Sequence, residues 1–95
     1  MKIETIELNK GNAIGLRWDM GHAPLLIIKA PKGFVMCGYL NMAVAEQLGD
    51  VAAKVTGVRS FDDVLKSRVV EVSSAAMDIG VNVGMTACDA LDLMY

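Results

Sequence analysis

The 95-residue sequence predicts an α/β domain of mixed α+β character, two N-terminal β-hairpins followed by βα units, with one mixed sheet of about six strands and about four short helices. Two features lead to this reading. The first forty residues fall into apolar, β-branched stretches separated by turn residues. From Asn41 onward the apolar period becomes that of helices alternating with short strands, the pattern of parallel crossover units. The length is too short for two independent cores, so residues 1–95 are expected to form a single domain.

Lys2 to Leu8 alternates imperfectly, and Asn9-Lys10-Gly11-Asn12 is turn chemistry. Ala13 to Trp18 then places Ile14, Leu16 and Trp18 on one face, expected to be buried, with Gly15 and Arg17 on the other. Pro24 to Lys29 and Phe34 to Tyr39 are apolar on both faces, which suits central strands covered on two sides. Ala30-Pro31-Lys32-Gly33 between them has Pro at the second and Gly at the fourth position of a type I turn, and makes a second hairpin. Asn41 is placed to cap a helix over Met42 to Leu48, stopped by Gly49, with Val44, Ala45 and Leu48 inward and Glu46 and Gln47 outward. Val51 to Thr56 suits a strand, although its alanines suit a helix nearly as well. Ser60-Phe61-Asp62-Asp63 has capping-box spacing and opens a helix to about Lys66. Arg68 to Val72 reads as the last strand, and Ser73 or Ser74 caps a short helix to Ile79. Thr86-Ala87-Cys88-Asp89 opens a final helix expected to bury Ala87, Ala90, Leu91 and Met94 and to expose Asp89 and Asp92.

Nine basic and eleven acidic side chains give a net charge of -2, with no run of either sign, so nucleic acid is not an expected partner. No apolar stretch approaches the roughly 20 residues of a membrane helix, and the N-terminus alternates where a signal peptide would carry an apolar block. Two cysteines outside any C-x-x-C pair fit a reducing compartment, so a cytoplasmic protein without membrane contact is expected. Apolar residues make up 54% of a chain small enough to hide only about 60–70% of its surface. That excess predicts a homo-oligomer, with an apolar ligand pocket as the less common solution. The N-terminal hairpins are the part of the sheet that short helices would leave uncovered.

The chain resembles a family of small YunC-like proteins of bacteria and archaea, a domain of unknown function. The likeness runs from about Ala23 to Leu93. It rests on Ala23-Pro24-Leu25-Leu26 leading to Lys29, on Lys32-Gly33-Phe34-Val35-Met36-Cys37-Gly38-Tyr39-Leu40-Asn41, on Leu48-Gly49-Asp50, and on Ile79-Gly80 through Gly84-Met85. It implies a shared length and organisation, and assigns neither an activity nor catalytic residues.

Phosphate-binding glycine loops and hydrolase or zinc-protease signatures are absent, and the residues specify no cofactor. With one histidine and two distant cysteines, no metal site is expected, and His22 reads as a surface turn residue. Cys37 ends a buried strand, is followed by Gly38, and precedes a capped helix. It is the candidate nucleophile or redox thiol, although its simplest reading is a small core hydrophobe, and the same holds more strongly for Cys88. Lys29 and Lys32 read as a solvated hairpin tip.

If the strands ending at Tyr39, Thr56 and Val72 are parallel, one sheet edge gathers Cys37, Gly38, Tyr39 and Asn41, the stretch Thr56 to Ser60, and Ser73 and Ser74. Such an edge suits a small anionic ligand. The same asparagine and serines are also explained by capping alone. Two functions follow. One is an oligomeric module binding a small anionic metabolite or a protein partner at that edge. The alternative is a small enzyme using Cys37, assisted by Tyr39, Asn41 or His22 of a neighbouring subunit.

Overall fold

The computed structural model describes residues 1–95. Six strands form one mixed sheet in sequence order, β1 (Lys2–Glu7), β2 (Asn12–Asp19), β3 (Pro24–Ala30), β4 (Gly33–Met36), β5 (Ala52–Lys54) and β6 (Glu71–Val72). Four helices accompany them: α1 (Met42–Leu48), α2 (Phe61–Lys66), α3 (Ser74–Asp78) and α4 (Ala87–Asp92). The two expected hairpins are present as the antiparallel run β1 to β4, and α1 carries the chain over to β5, which lies parallel to β4.

Each helix starts where a short polar side chain satisfies a free backbone donor. Asn41 accepts the Ala43 N–H at 2.8 Å, Ser60 that of Asp63 at 3.1 Å, Ser73 that of Ala76 at 3.2 Å and Thr86 that of Asp89 at 3.2 Å. Asp63 answers by accepting the Arg59 N–H, one residue before the cap. These caps matter more than usual because helices of five to seven residues are too short to hold themselves together.

The main core lies on the face of the sheet beneath α2 and α4. Leu26, Ile28, Val35 and Ala53 from the strands, with Val55 just after β5, meet Val64, Ala87, Ala90 and Leu91 from the helices, with Met94 just after α4, all essentially without solvent contact. A smaller cluster on the other face joins Met36 and Ala52 to Met42 and Ala45 of α1. The C-terminus is tied back by the Met94 carbonyl, which accepts the Lys32 N–H of the β3–β4 turn at 2.7 Å.

Four expectations are corrected. The buried face of β2 is the opposite one: Ala13 and Gly15 point under the helices, while Ile14 and Trp18 are 59% and 53% exposed. Helices can approach a strand closely only where its side chains are small, so the bulky residues take the other side. On α1, Met42 and Ala45 are the buried residues and Val44 and Leu48 face solvent, because the helix packs on the sheet only over β4 and β5. Asp92 is half-buried, since the β1–β2 turn reaches over and Asn9 donates to its carboxylate at 3.0 Å. Finally, β6 runs antiparallel to β5, which moves its C-terminal end to the other edge of the sheet.

Candidate functional site

Because β4 and β5 are parallel, their carboxyl ends open on one edge, and antiparallel β3 begins there. In open α/β sheets this is the edge where backbone groups and loops diverge enough to leave a crevice. A pocket of about 400 Å³ occupies it. Cys37, Gly38 and Tyr39 enter it from the segment after β4, Gly57, Val58 and Arg59 from the segment after β5, and Ala23 and Pro24 from the start of β3. The second segment turns at Gly57, whose φ of 71° lies in the left-handed region that costs a β-carbon energy.

Cys37 is buried, and its sulfur belongs to the backbone network. Its N–H donates to the Leu26 carbonyl at 3.1 Å, and its carbonyl turns away to accept the Leu40 N–H. The Leu26 N–H donates to the Cys37 Sγ at 3.3 Å. The thiol thus closes the β3–β4 ladder where the strand bends out into the pocket wall. Tyr39, half-exposed, donates its phenol to the Ala23 carbonyl at 3.3 Å across the mouth.

Arg59 supplies the charge. Its carbonyl accepts from Nη1 of Arg17 at 2.9 Å, and its N–H is held by Asp63, so the backbone is anchored on both sides. Its guanidinium makes one long contact, 3.5 Å to the His22 carbonyl, and no ion pair. Four of its five N–H groups remain for a ligand. No carboxylate lines the pocket, so the site presents one positive charge among apolar and neutral polar walls.

The structure brings Cys37, Gly38 and Tyr39 together with the Thr56 to Ser60 stretch, as expected for adjacent parallel strands. It does not bring Asn41, Ser73 or Ser74 to them. Asn41 is used in capping α1 and lies outside the pocket lining. Ser73 and Ser74 sit at the opposite edge because β6 is antiparallel. There the buried Ser73 hydroxyl accepts the Ala52 N–H at 3.0 Å and donates to the Asp50 carbonyl at 2.7 Å, fastening the start of β5. The Ser74 N–H is taken by Glu46. Arg59 falls within the Thr56 to Ser60 stretch expected at this edge but was not singled out there, although it is the one charged residue in the two loops that follow β4 and β5. Sequence reasoning also passed over Ala23 and Pro24, which reach the site because an antiparallel strand begins where its parallel neighbours end. His22 contributes its carbonyl, and no group of three His, Cys, Asp or Glu side chains is placed to hold a metal ion.

The model of a domain of unknown function, DUF1805, matches residues 36–94, from the end of β4 through α4. The uncharacterised protein YunC of Bacillus subtilis is 38% identical over 63 residues, which are 62% of this chain and 62% of that protein. The chain therefore spans about 62% of the length of this curated relative. The crystal structure of a protein of unknown function, TA1206, from Thermoplasma acidophilum superposes with a TM-score of 0.94 at 40% identity, over 99% of this chain and 92% of that one. The family match spans both loops of the pocket, Cys37 to Tyr39 and Gly57 to Arg59, and the chain belongs to the DUF1805 family.

Proposed function

We propose that the chain is a cytoplasmic, homo-oligomeric binding domain that holds a small anionic metabolite in the pocket at the carboxyl edge of β4 and β5. The observation that carries this reading is the Arg59 guanidinium, free of any ion pair, in a pocket without a carboxylate. A carboxylate or phosphate group would take Arg59 side-on through two parallel N–H donors. The rest of the ligand would lie against Pro24, Val58 and the Tyr39 ring. A volume of about 400 Å³ is within the range of small-molecule sites, which favours a metabolite over a segment of a protein partner. Both cysteines are free thiols, which suits a reducing compartment, and no helix is long and apolar enough to cross a membrane.

Native mass spectrometry on freshly purified protein tests the reading directly. A bound mass that is present in the wild type and lost in Arg59→Ala supports it. A bound mass retained by Arg59→Ala, or no binding to a panel of small carboxylates and phosphates, overturns it.

A further inference from the structure

The face of the sheet turned away from α2 and α4 is covered by α1 only near β4 and β5. Over β1 to β3 the register lines up Ile3, Leu16 and Ile27 in one row, Ile14 and Lys29 in the next, and Trp18 with Leu25 in a third. Ile3, Ile14 and Trp18 are 63%, 59% and 53% exposed. An antiparallel sheet with one wet face carries polar residues there, and this one carries its bulkiest apolar residues instead. The rows present on the order of 500 Å² of apolar surface, near the upper limit for a patch on a free monomer and most of what one partner gives a stable interface.

Two charges share this open area, Glu7 at the end of β1 and Lys29 on β3. They have opposite signs, stand on either side of β2, and lie one strand repeat apart along it, since Glu7 pairs with Asn12 and Lys29 with Ile14. Neither has an ionic partner within the chain, whose ion pairs are Lys2–Glu4, Arg17–Asp19 and Lys54–Glu71. The Lys29 ammonium rests on the carbonyl of its neighbour Ala30.

We infer that two copies pack face to face through β1 to β3 about a two-fold axis that runs along β2. That rotation lays β1 of one copy over β3 of the other, apolar rows on apolar rows at the spacing of stacked sheets. It also brings Glu7 of each copy toward Lys29 of the other, twice over. The occupant is a second copy because a two-fold interface must complement itself, and this face does so in charge, with unpaired Glu7 and Lys29 of opposite sign and an apolar area between them. The inference rests on the homo-oligomeric part of the proposed function and is independent of the pocket and its ligand, which the Arg59→Ala experiment tests separately.

Sedimentation of the full chain across a micromolar dilution series tests it. The wild type should sediment at twice the 10.2 kDa of one chain. Ile14→Glu, at a position exposed in the single chain, should weaken the dimer on the order of 100-fold by burying an unpaired carboxylate. Lys29→Glu and Glu7→Lys should each weaken it about tenfold, and the double charge swap should restore the wild-type dissociation constant, a recovery that unfolding cannot mimic. A wild type of single-chain mass, an assembly unaffected by Ile14→Glu, or a double swap no better than the singles would each overturn the inference.

Discussion

The ring of Phe61 lies directly on the backbone of Gly15: a β-carbon at that glycine would fall 2.7 Å from Cε1 of Phe61 and 2.6 Å from Cδ1 of Ile6. This contact lets α2 descend onto β2, and it decides which face of β2 is inside. Replacing a mid-strand glycine by alanine ordinarily favours folding. At Gly15 the sign is expected to reverse, with Gly15→Ala costing about 1–3 kcal/mol through overpacking. Urea unfolding measures it, and Gly15→Ala combined with Phe61→Leu should recover part of the loss. Equal or greater stability of the single variant would mean that α2 can lift at no cost.

The same contact explains what the sequence concealed. Period-two alternation in β2 identifies two faces but does not say which is covered, and assigning the bulky face to the core follows the general trend of burial. Here the helices require Ala13 and Gly15 beneath them. The caps were readable because each depends on a local geometry of three or four residues: Asn41, Ser60, Ser73 and Thr86 all cap as their spacing implied. The place of Cys37 to Tyr39 in the pocket lining was readable because they leave a strand at the edge shared by β4 and β5. The grouping with Ser73 and Ser74 depended on the direction of β6, a two-residue strand whose orientation is decided by pairing with Ala53 and Lys54 rather than by any local signal.

Arg59 is held by its backbone and free at its head, so its substitution should separate binding from stability. Arg59→Gln is expected to change the unfolding free energy by no more than about 0.5 kcal/mol, as for other exposed positions. Ligand affinity should fall at least about tenfold with loss of the charged bidentate contact. Arg17→Ala, which releases the Arg59 carbonyl, should weaken binding by a smaller factor. Titration of the ligand found by native mass spectrometry, alongside urea unfolding, reads both quantities.

The two thiols are expected to be slow nucleophiles for different reasons. Cys37 is 3% exposed and its sulfur accepts the Leu26 N–H, so iodoacetamide should reach it only as the β3–β4 end opens. Cys88 is more accessible, but partial burial, together with the nearby Asp92 and Asp89 carboxylates, raises its pKa above 9.0 and keeps the thiol protonated at neutral pH. Alkylation of Cys88 should therefore increase with pH over a range shifted upward from that of a free thiol. Cys37→Ala should cost about 1–3 kcal/mol, because it strands a buried N–H as well as removing a packed side chain. Rapid alkylation of Cys37 in the folded protein at neutral pH would instead support the thiol-enzyme reading.

Glu46 of α1 reaches the start of α3, where its Oε2 accepts the Ser74 N–H at 2.8 Å. The side-chain hydrogen bond from Ser74, followed by the backbone one, holds its carboxyl below the ordinary 4.5, against a slight opposing effect of desolvation. A folded-state pKa below the unfolded one means that the unfolded chain takes up a proton first on acidification. The contact is therefore fully stabilising above the unfolded value and is lost as pH falls through the folded value. Glu46→Gln keeps a carbonyl acceptor and removes the charge, so its melting temperature should lie below that of the wild type at neutral pH. The gap should be constant down to about pH 5, close as pH falls below about 4, and shrink in high salt because the carboxylate is exposed. A gap that stayed the same at all these pH values would show that Glu46 helps hold α1 to α3 by shape and hydrogen bonding, with no contribution from its charge.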